Sequence, residues 1–171
     1  MDVTPRLTCV LGHAASGKSA WAEDAVLRTG LSPVYVATAQ AFDDEMSRKI
    51  TDHVARRGPE WRTVDAPDDL AGACATAAAG EAWLVDCATM WLSNLMMAEV
   101  DWRGPLDAWL SAMAAAPARF FVVSNDVGGG IVPDNALARR FQREQGAVNQ
   151  RLAAAAQEVF WIRAGLPQRL K

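Results

Sequence analysis

Gly12-His13-Ala14-Ala15-Ser16-Gly17-Lys18-Ser19 places glycine, glycine, lysine and serine at the fixed positions of GxxxxGK[ST]. The chemistry of that spacing is phosphate binding. Glycine lets the backbone curl so that successive N–H groups point inward at phosphate oxygens, and the positive end of the following helix adds to the field. Lys18 is placed to reach the β- and γ-phosphates of a nucleoside triphosphate, and the Ser19 hydroxyl to ligate Mg²⁺. His13 falls at a variable position of the loop.

Asp86 ends the apolar run Trp83-Leu84-Val85. At the carboxyl end of a strand, where ligands gather in open α/β sheets, it is a candidate second Mg²⁺ ligand; the alternative is the N-cap of the next helix. His53 is the only histidine outside the loop, and helical spacing puts it on one face with Lys49 and Arg56 or Arg57. Neighbouring cations favour a neutral, nucleophilic imidazole. By itself the pattern reads as a solvated helix residue, since most histidines carry no chemistry. A second loop, Ser124-Asn125-Asp126-Val127-Gly128-Gly129-Gly130, follows another apolar run and offers close backbone approach to a ligand. Its plainer reading is a turn capped by Asp134.

These residues need a frame that brings strand ends together. Leu7 to Leu11 reads as a strand, and a helix runs from Ser16 to about Arg28. Val34 to Ala37 and Trp61 to Val64 are further strands, with a charged helix over Asp43 to Arg57 between them, stopped by Gly58-Pro59. An alanine-rich helix is expected from Pro67 to near Gly80, then a strand over Trp83 to Val85 and helices over Met90 to Ala98 and Pro105 to Ala115. A strand over Phe120 to Ser124, a long helix over Asp134 to Gln157 and a strand over Val159 to Arg163 close the series. Strands separated by helices predict an α/β fold, a mostly parallel sheet with helices on both faces. With 171 residues, the chain reads as one nucleotide-binding domain over 1–171.

Hydrophobic residues make up 51% of the chain, enough for a real core. A net charge of −3 argues against nucleic acid as the main partner. Cys9, Cys74 and Cys87 show no CxxC or metal-ligand spacing; Cys9 and Cys87 lie in apolar runs and are expected to be buried, and reduced thiols in a cytoplasmic setting are expected. No apolar run approaches the roughly 20 residues of a membrane span.

Together the motifs resemble the bifunctional adenosylcobinamide kinase / adenosylcobinamide-phosphate guanylyltransferase family. The resemblance is carried by Ser16-Gly17-Lys18-Ser19, Tyr35-Val36-Ala37-Thr38-Ala39-Gln40, Ile50-Thr51-Asp52-His53, Leu84-Val85-Asp86-Cys87 and Trp91-Leu92-Ser93-Asn94-Leu95. Its most specific part is Val123-Ser124-Asn125-Asp126-Val127-Gly128 with Gly130-Ile131-Val132-Pro133-Asp134-Asn135, and Ala164-Gly165-Leu166-Pro167 completes it.

The resemblance implies a RecA-like P-loop fold, a homo-oligomer that is commonly a trimer, and two reactions. One phosphorylates adenosylcobinamide with ATP or GTP; the other transfers GMP from GTP to adenosylcobinamide phosphate through a histidine, whose matching position is His53. It also implies nucleotide contacts at Thr38, Ala39, Gln40, Arg56, Arg57, Gly58, Pro59, Asp65 and Asp86, besides the loop itself. The chain departs from the family pattern in three places. His13 and Ala15 stand where glycine and arginine are common, Asp52 replaces the first of two adjacent histidines, and Asp126 replaces a glutamate. A small-molecule kinase without nucleotidyl transfer and a nucleotide-dependent binding module are the alternatives.

Overall fold

The computed structural model describes residues 6–40 and 57–171. Most of the expected helix over Asp43 to Arg57, with His53 and Arg56, lies outside them. Seven strands form one sheet: β1 (Leu7–Gly12), β2 (Ser32–Ala37), β3 (Arg62–Asp65), β4 (Glu81–Asp86), β5 (Arg119–Asn125), β6 (Glu158–Arg163) and β7 (Leu166–Arg169). Their order is β3-β2-β4-β5-β1-β6-β7, parallel except for β7. The described helices are α1 (Lys18–Leu27), α2 (Leu70–Cys74), α3 (Ala88–Met97), α4 (Arg103–Ala115) and α5 (Ala136–Ala155).

Period-two alternation divides the strand side chains between two cores. Cys9, Val34, Val36, Trp83, Val85, Phe120 and Val122 face one side, under α2 to α5. Val10, Tyr35, Leu84, Phe121, Val123 and Ile162 face the other, where Ala22 and Val26 of α1 cover them. Both faces are therefore buried, which is why the central strands read as unbroken apolar runs. The larger core is built on tryptophan: Trp83, Trp91 and Trp109 are wholly buried, and the Trp91 and Trp109 rings lie 5.3 Å apart. Truncating such a side chain costs about 3–5 kcal/mol.

The structure corrects several boundaries. α1 begins at Lys18 rather than Ser16, because Gly17 has a left-handed φ of 89° and belongs to the loop. The helix expected from Pro67 to Gly80 is five residues long; Asp69 caps its start, and single turns at Thr76 and Ala77 end it. Alanine supplies helix propensity there but too little side chain to hold a longer helix against the sheet. The cap of α5 is Asn135, not Asp134: its side chain accepts from the Leu137 and Ala138 N–H groups. Strand β7 was not expected. Ala164 and Gly165, with φ of 50° and 76°, form a two-residue turn that folds it back on β6.

Candidate active site

Strand β1 ends at Gly12 and α1 begins at Lys18, so the loop between them lies at the carboxyl edge of the sheet. Gly12 is required by space: a Cβ there would lie 2.5 Å from Ser16 Oγ and 2.7 Å from the Ile162 carbonyl. Ala15 and Gly17 both have positive φ, 56° and 89°, and produce the curl. Lys18 is 8% exposed and donates to the His13 carbonyl at 3.0 Å. Burial pulls its ammonium below the usual lysine range, opposed by the nearby Cys87 and Asp86 groups. Ser19, in the first turn of α1, is half-buried.

Asp86 ends β4, and β5 lies between that strand and β1. The N-cap of α3 is Cys87, without a side-chain cap bond, so Asp86 does not cap that helix. Its Oδ2 is buried and has no hydrogen-bond partner. A buried carboxylate oxygen without a donor is costly unless a cation or ligand proton meets it. Asp86 and Ser19 both offer oxygen, the donor type that Mg²⁺ prefers, and the residues present therefore fit that ion.

Thr38, just beyond β2, is fully buried, and its hydroxyl is already committed. It donates to the Cys87 carbonyl at 2.8 Å and accepts the Cys87 N–H at 2.7 Å. Asn94 Nδ2 in turn donates to the Thr38 carbonyl at 2.9 Å. The Thr38 side chain thus fixes the backbone next to Asp86 rather than facing a ligand. Ala39 and Gln40 follow, half-buried.

Beside them the Arg57 guanidinium lies over the Tyr35 ring, 3.3 Å from its centroid, with Nη1 buried and unpartnered. Burial, with Asp86 nearby, pushes the Tyr35 phenol above the ordinary tyrosine range, and Arg57 opposes this. Gly58 and Pro59 form the turn into β3, where the Trp61 N–H meets the Gly58 carbonyl. Asp65 is exposed at the end of β3. Four strand spacings of about 4.8 Å put it roughly 19 Å along the edge from β1.

Sequence reading missed the way the second loop is held. Three successive carbonyls each accept one side-chain donor at 2.9 Å: Asn125 from Asn149 Nδ2, Asp126 from His13 Nδ1, and Val127 from Gln142 Nε2. The N–H groups are held too, Asn125 by Thr89 Oγ1 at 2.8 Å and Asp126 by the Gly12 carbonyl at 3.0 Å. Beneath lies a buried polar group. Gln145 Nε2 donates to Ser124 Oγ and Asn149 Oδ1, both at 2.9 Å, and Ser124 donates to Asn149 Oδ1 at 2.6 Å. The available signal was Gln145 and Asn149, one turn apart on a helix whose neighbouring Val148 and Leu152 are core.

A phosphate-binding loop after the first strand, with a carboxylate two strands away across an inserted strand, defines a RecA-like P-loop protein. The RadB recombinase crystal structure shares this fold, with a TM-score of 0.54 over 91% of this chain and 73% of that one, at 18% identity. The chain belongs to the cobinamide kinase / cobinamide phosphate guanyltransferase family, whose model matches residues 8–170. It is 43% identical to the bifunctional adenosylcobalamin biosynthesis protein CobP of Pseudomonas aeruginosa over 165 residues, 95% of each chain. It is 37% identical to the corresponding CobU protein of Salmonella typhimurium, over 95% of this chain and 98% of that one. Among the described residues no helix is long and apolar enough to cross a membrane.

Proposed function

We propose that this chain carries both reactions of its family: phosphorylation of adenosylcobinamide by ATP or GTP, and transfer of GMP from GTP to the resulting phosphate. The observation that carries the reading is the pairing at one sheet edge of Lys18, inside the phosphate loop, with the unpartnered Asp86 oxygen.

In the kinase step the hydroxyl oxygen of the substrate attacks the γ-phosphorus, the bond to the β-phosphate oxygen breaks, and the nucleoside diphosphate leaves as the hydroxyl proton is lost to solvent. Lys18 exchanges the His13 carbonyl for a phosphate oxygen, and the loop N–H groups take up charge on the leaving group. In the transfer step an imidazole nitrogen of His53 attacks the α-phosphorus of GTP. An N–P bond forms and pyrophosphate leaves. A phosphate oxygen of the acceptor then attacks the same phosphorus, and the N–P bond breaks to return the histidine. Ser19 and Asp86 would hold Mg²⁺, which when bound would supply charge neutralisation for the phosphates.

Arg57, Gly58, Pro59 and Asp65, with Ala39 and Gln40, line the edge along which the nucleoside lies, away from the phosphate loop, and Thr38 holds that edge from beneath. Arg56 joins them from outside the described residues. The protein works in the cytoplasm as a homo-oligomer, a trimer by family resemblance; its cysteines are free thiols.

The test is incubation with adenosylcobinamide phosphate and GTP. Pyrophosphate should appear in equal amount with a corrinoid carrying GDP, and Lys18→Met should abolish both. Release of inorganic phosphate alone would contradict the transferase reading.

A further inference from the structure

We propose that the loop from Asn125 to Gly130 is the acceptor-side wall of the site, and that His13, Gln142 and Asn149 are positioning residues for it. The inference rests on the two-reaction reading above. Three consecutive carbonyls bonded to His13 of the phosphate loop and to Gln142 and Asn149 of α5 leave the peptide planes of Asn125 to Val127 one orientation. Asn125 ends β5, so this holding carries the order of the sheet edge two residues into the loop, as far as the first of the three glycines.

The loop is fastened next to the phosphates, since the Asp126 N–H is bonded to the first residue of the phosphate loop. Gly128, Gly129 and Gly130 are exposed. A Cβ on Gly129 would lie 3.2 Å from His13 Cε1, so the ring and the loop already touch. Directly beyond, Ile131, Val132 and Leu137 are 96%, 72% and 65% exposed. A polyphosphate has no use for that apolar surface. A large amphipathic acceptor, with an apolar macrocycle and a polar arm ending in a hydroxyl or phosphate, matches it. Glycine backbone admits the arm closely, and the apolar residues meet the ring.

The role is separable from nucleotide binding because self-labelling from GTP needs no acceptor. Gln142→Glu keeps size but loses the N–H donor to Val127, and Asn149→Asp does the same at Asn125 while keeping the Oδ1 acceptor. Both variants are expected to take α-label from GTP at the wild-type rate. Both should need about tenfold more adenosylcobinamide phosphate for half-maximal discharge, as one lost hydrogen bond to a positioned backbone would give. At His13, Asn returns an amide donor to the place of Nδ1, so the acceptor KM of His13→Asn should stay near wild type while that of His13→Ala rises. Discharge by all these variants at wild-type acceptor concentrations overturns the inference. So does a parallel loss of labelling and discharge, which marks the residues as structural only. A wild-type protein that takes no α-label refutes the transferase reading itself.

Discussion

The Gly165 N–H donates to the Ser16 carbonyl at 2.8 Å, so the turn between β6 and β7 braces the phosphate loop from behind. The contact is close enough that a Cβ on Gly17 would lie 3.1 Å from the Gly165 Cα. This gives the Ala164-Gly165 turn a physical reason to accompany the phosphate loop in the sequence.

Gly165 has a φ of 76° and open space around it, so Gly165→Ala costs only the left-handed backbone, about 1 kcal/mol, or about 3 °C in Tm for a chain of this size. Gly17→Ala meets both a φ of 89° and the turn, and is expected to lose more stability together with GTP binding. Thermal melts and titration with a fluorescent GTP analogue check the order. Equal Tm losses in the two variants would remove the bracing contact from the account.

Lys18 works against the fold that holds it. Its folded pKa lies below the ordinary 10.5, chiefly through burial, so charging it is disfavoured in the native state. The unfolded chain therefore binds more protons between the folded value and 10.5, and this contribution to stability rises with pH through that window. Lys18→Met should lose nucleotide binding yet melt no lower than wild type at pH 7. Melts at pH 7 and pH 10 should show its advantage shrinking as pH rises. A variant that melts well below wild type at pH 7 would contradict this.

The thiols have the opposite sign. Burial raises Cys9 and Cys74 to about 12 and Cys87 to about 11, against an ordinary 9.0. The unfolded chain loses these protons first, so stability held below pH 9.0 is lost as pH rises beyond it. Native protein at pH 8 should give no colour with a disulfide thiol reagent, and denatured protein three equivalents. Rapid reaction of one thiol in the native state would show a site more open than the structure has it.

Thr38→Val removes the hydroxyl that serves both the N–H and the carbonyl of Cys87; the carbonyl keeps the Trp91 N–H, while the buried Cys87 N–H is left unpaired. A loss of about 1–3 kcal/mol is expected by urea unfolding. Thr38→Ser should recover most of it. Asp86→Asn, in contrast, removes a buried charge whose Oδ2 has no partner, and should leave stability unchanged or higher while lowering both transfer rates at least tenfold. A destabilised Asp86→Asn would indicate that the carboxylate serves the fold instead.

Strand order of appearance, the parallel sheet and the phosphate loop were legible because each is written locally, in unbroken apolar runs and in fixed glycine spacing. Asp86 was legible for the same reason, as a charge that ends a buried strand. What escaped is set by tertiary contact. Thr38 stands in a block that the family resemblance implies to touch nucleotide, yet its hydroxyl meets a backbone 49 residues further along. His13 sits at a variable loop position, and only the fold brings its ring to Asp126 and to within 5.7 Å of Trp161. Strand β7 is short and contains Pro167, tolerated because β7 is an edge strand.

The proposed nucleotidyl transfer through His53, on a phosphate loop built around Lys18, is tested by incubating the purified protein with α-labelled and γ-labelled GTP in parallel, for wild type and His53→Ala. Acid-labile, base-stable label is expected from the α-phosphate only, absent in the variant and discharged by adenosylcobinamide phosphate. No α-label in wild type, with γ-phosphate still passed to adenosylcobinamide, would contradict it and leave a kinase alone.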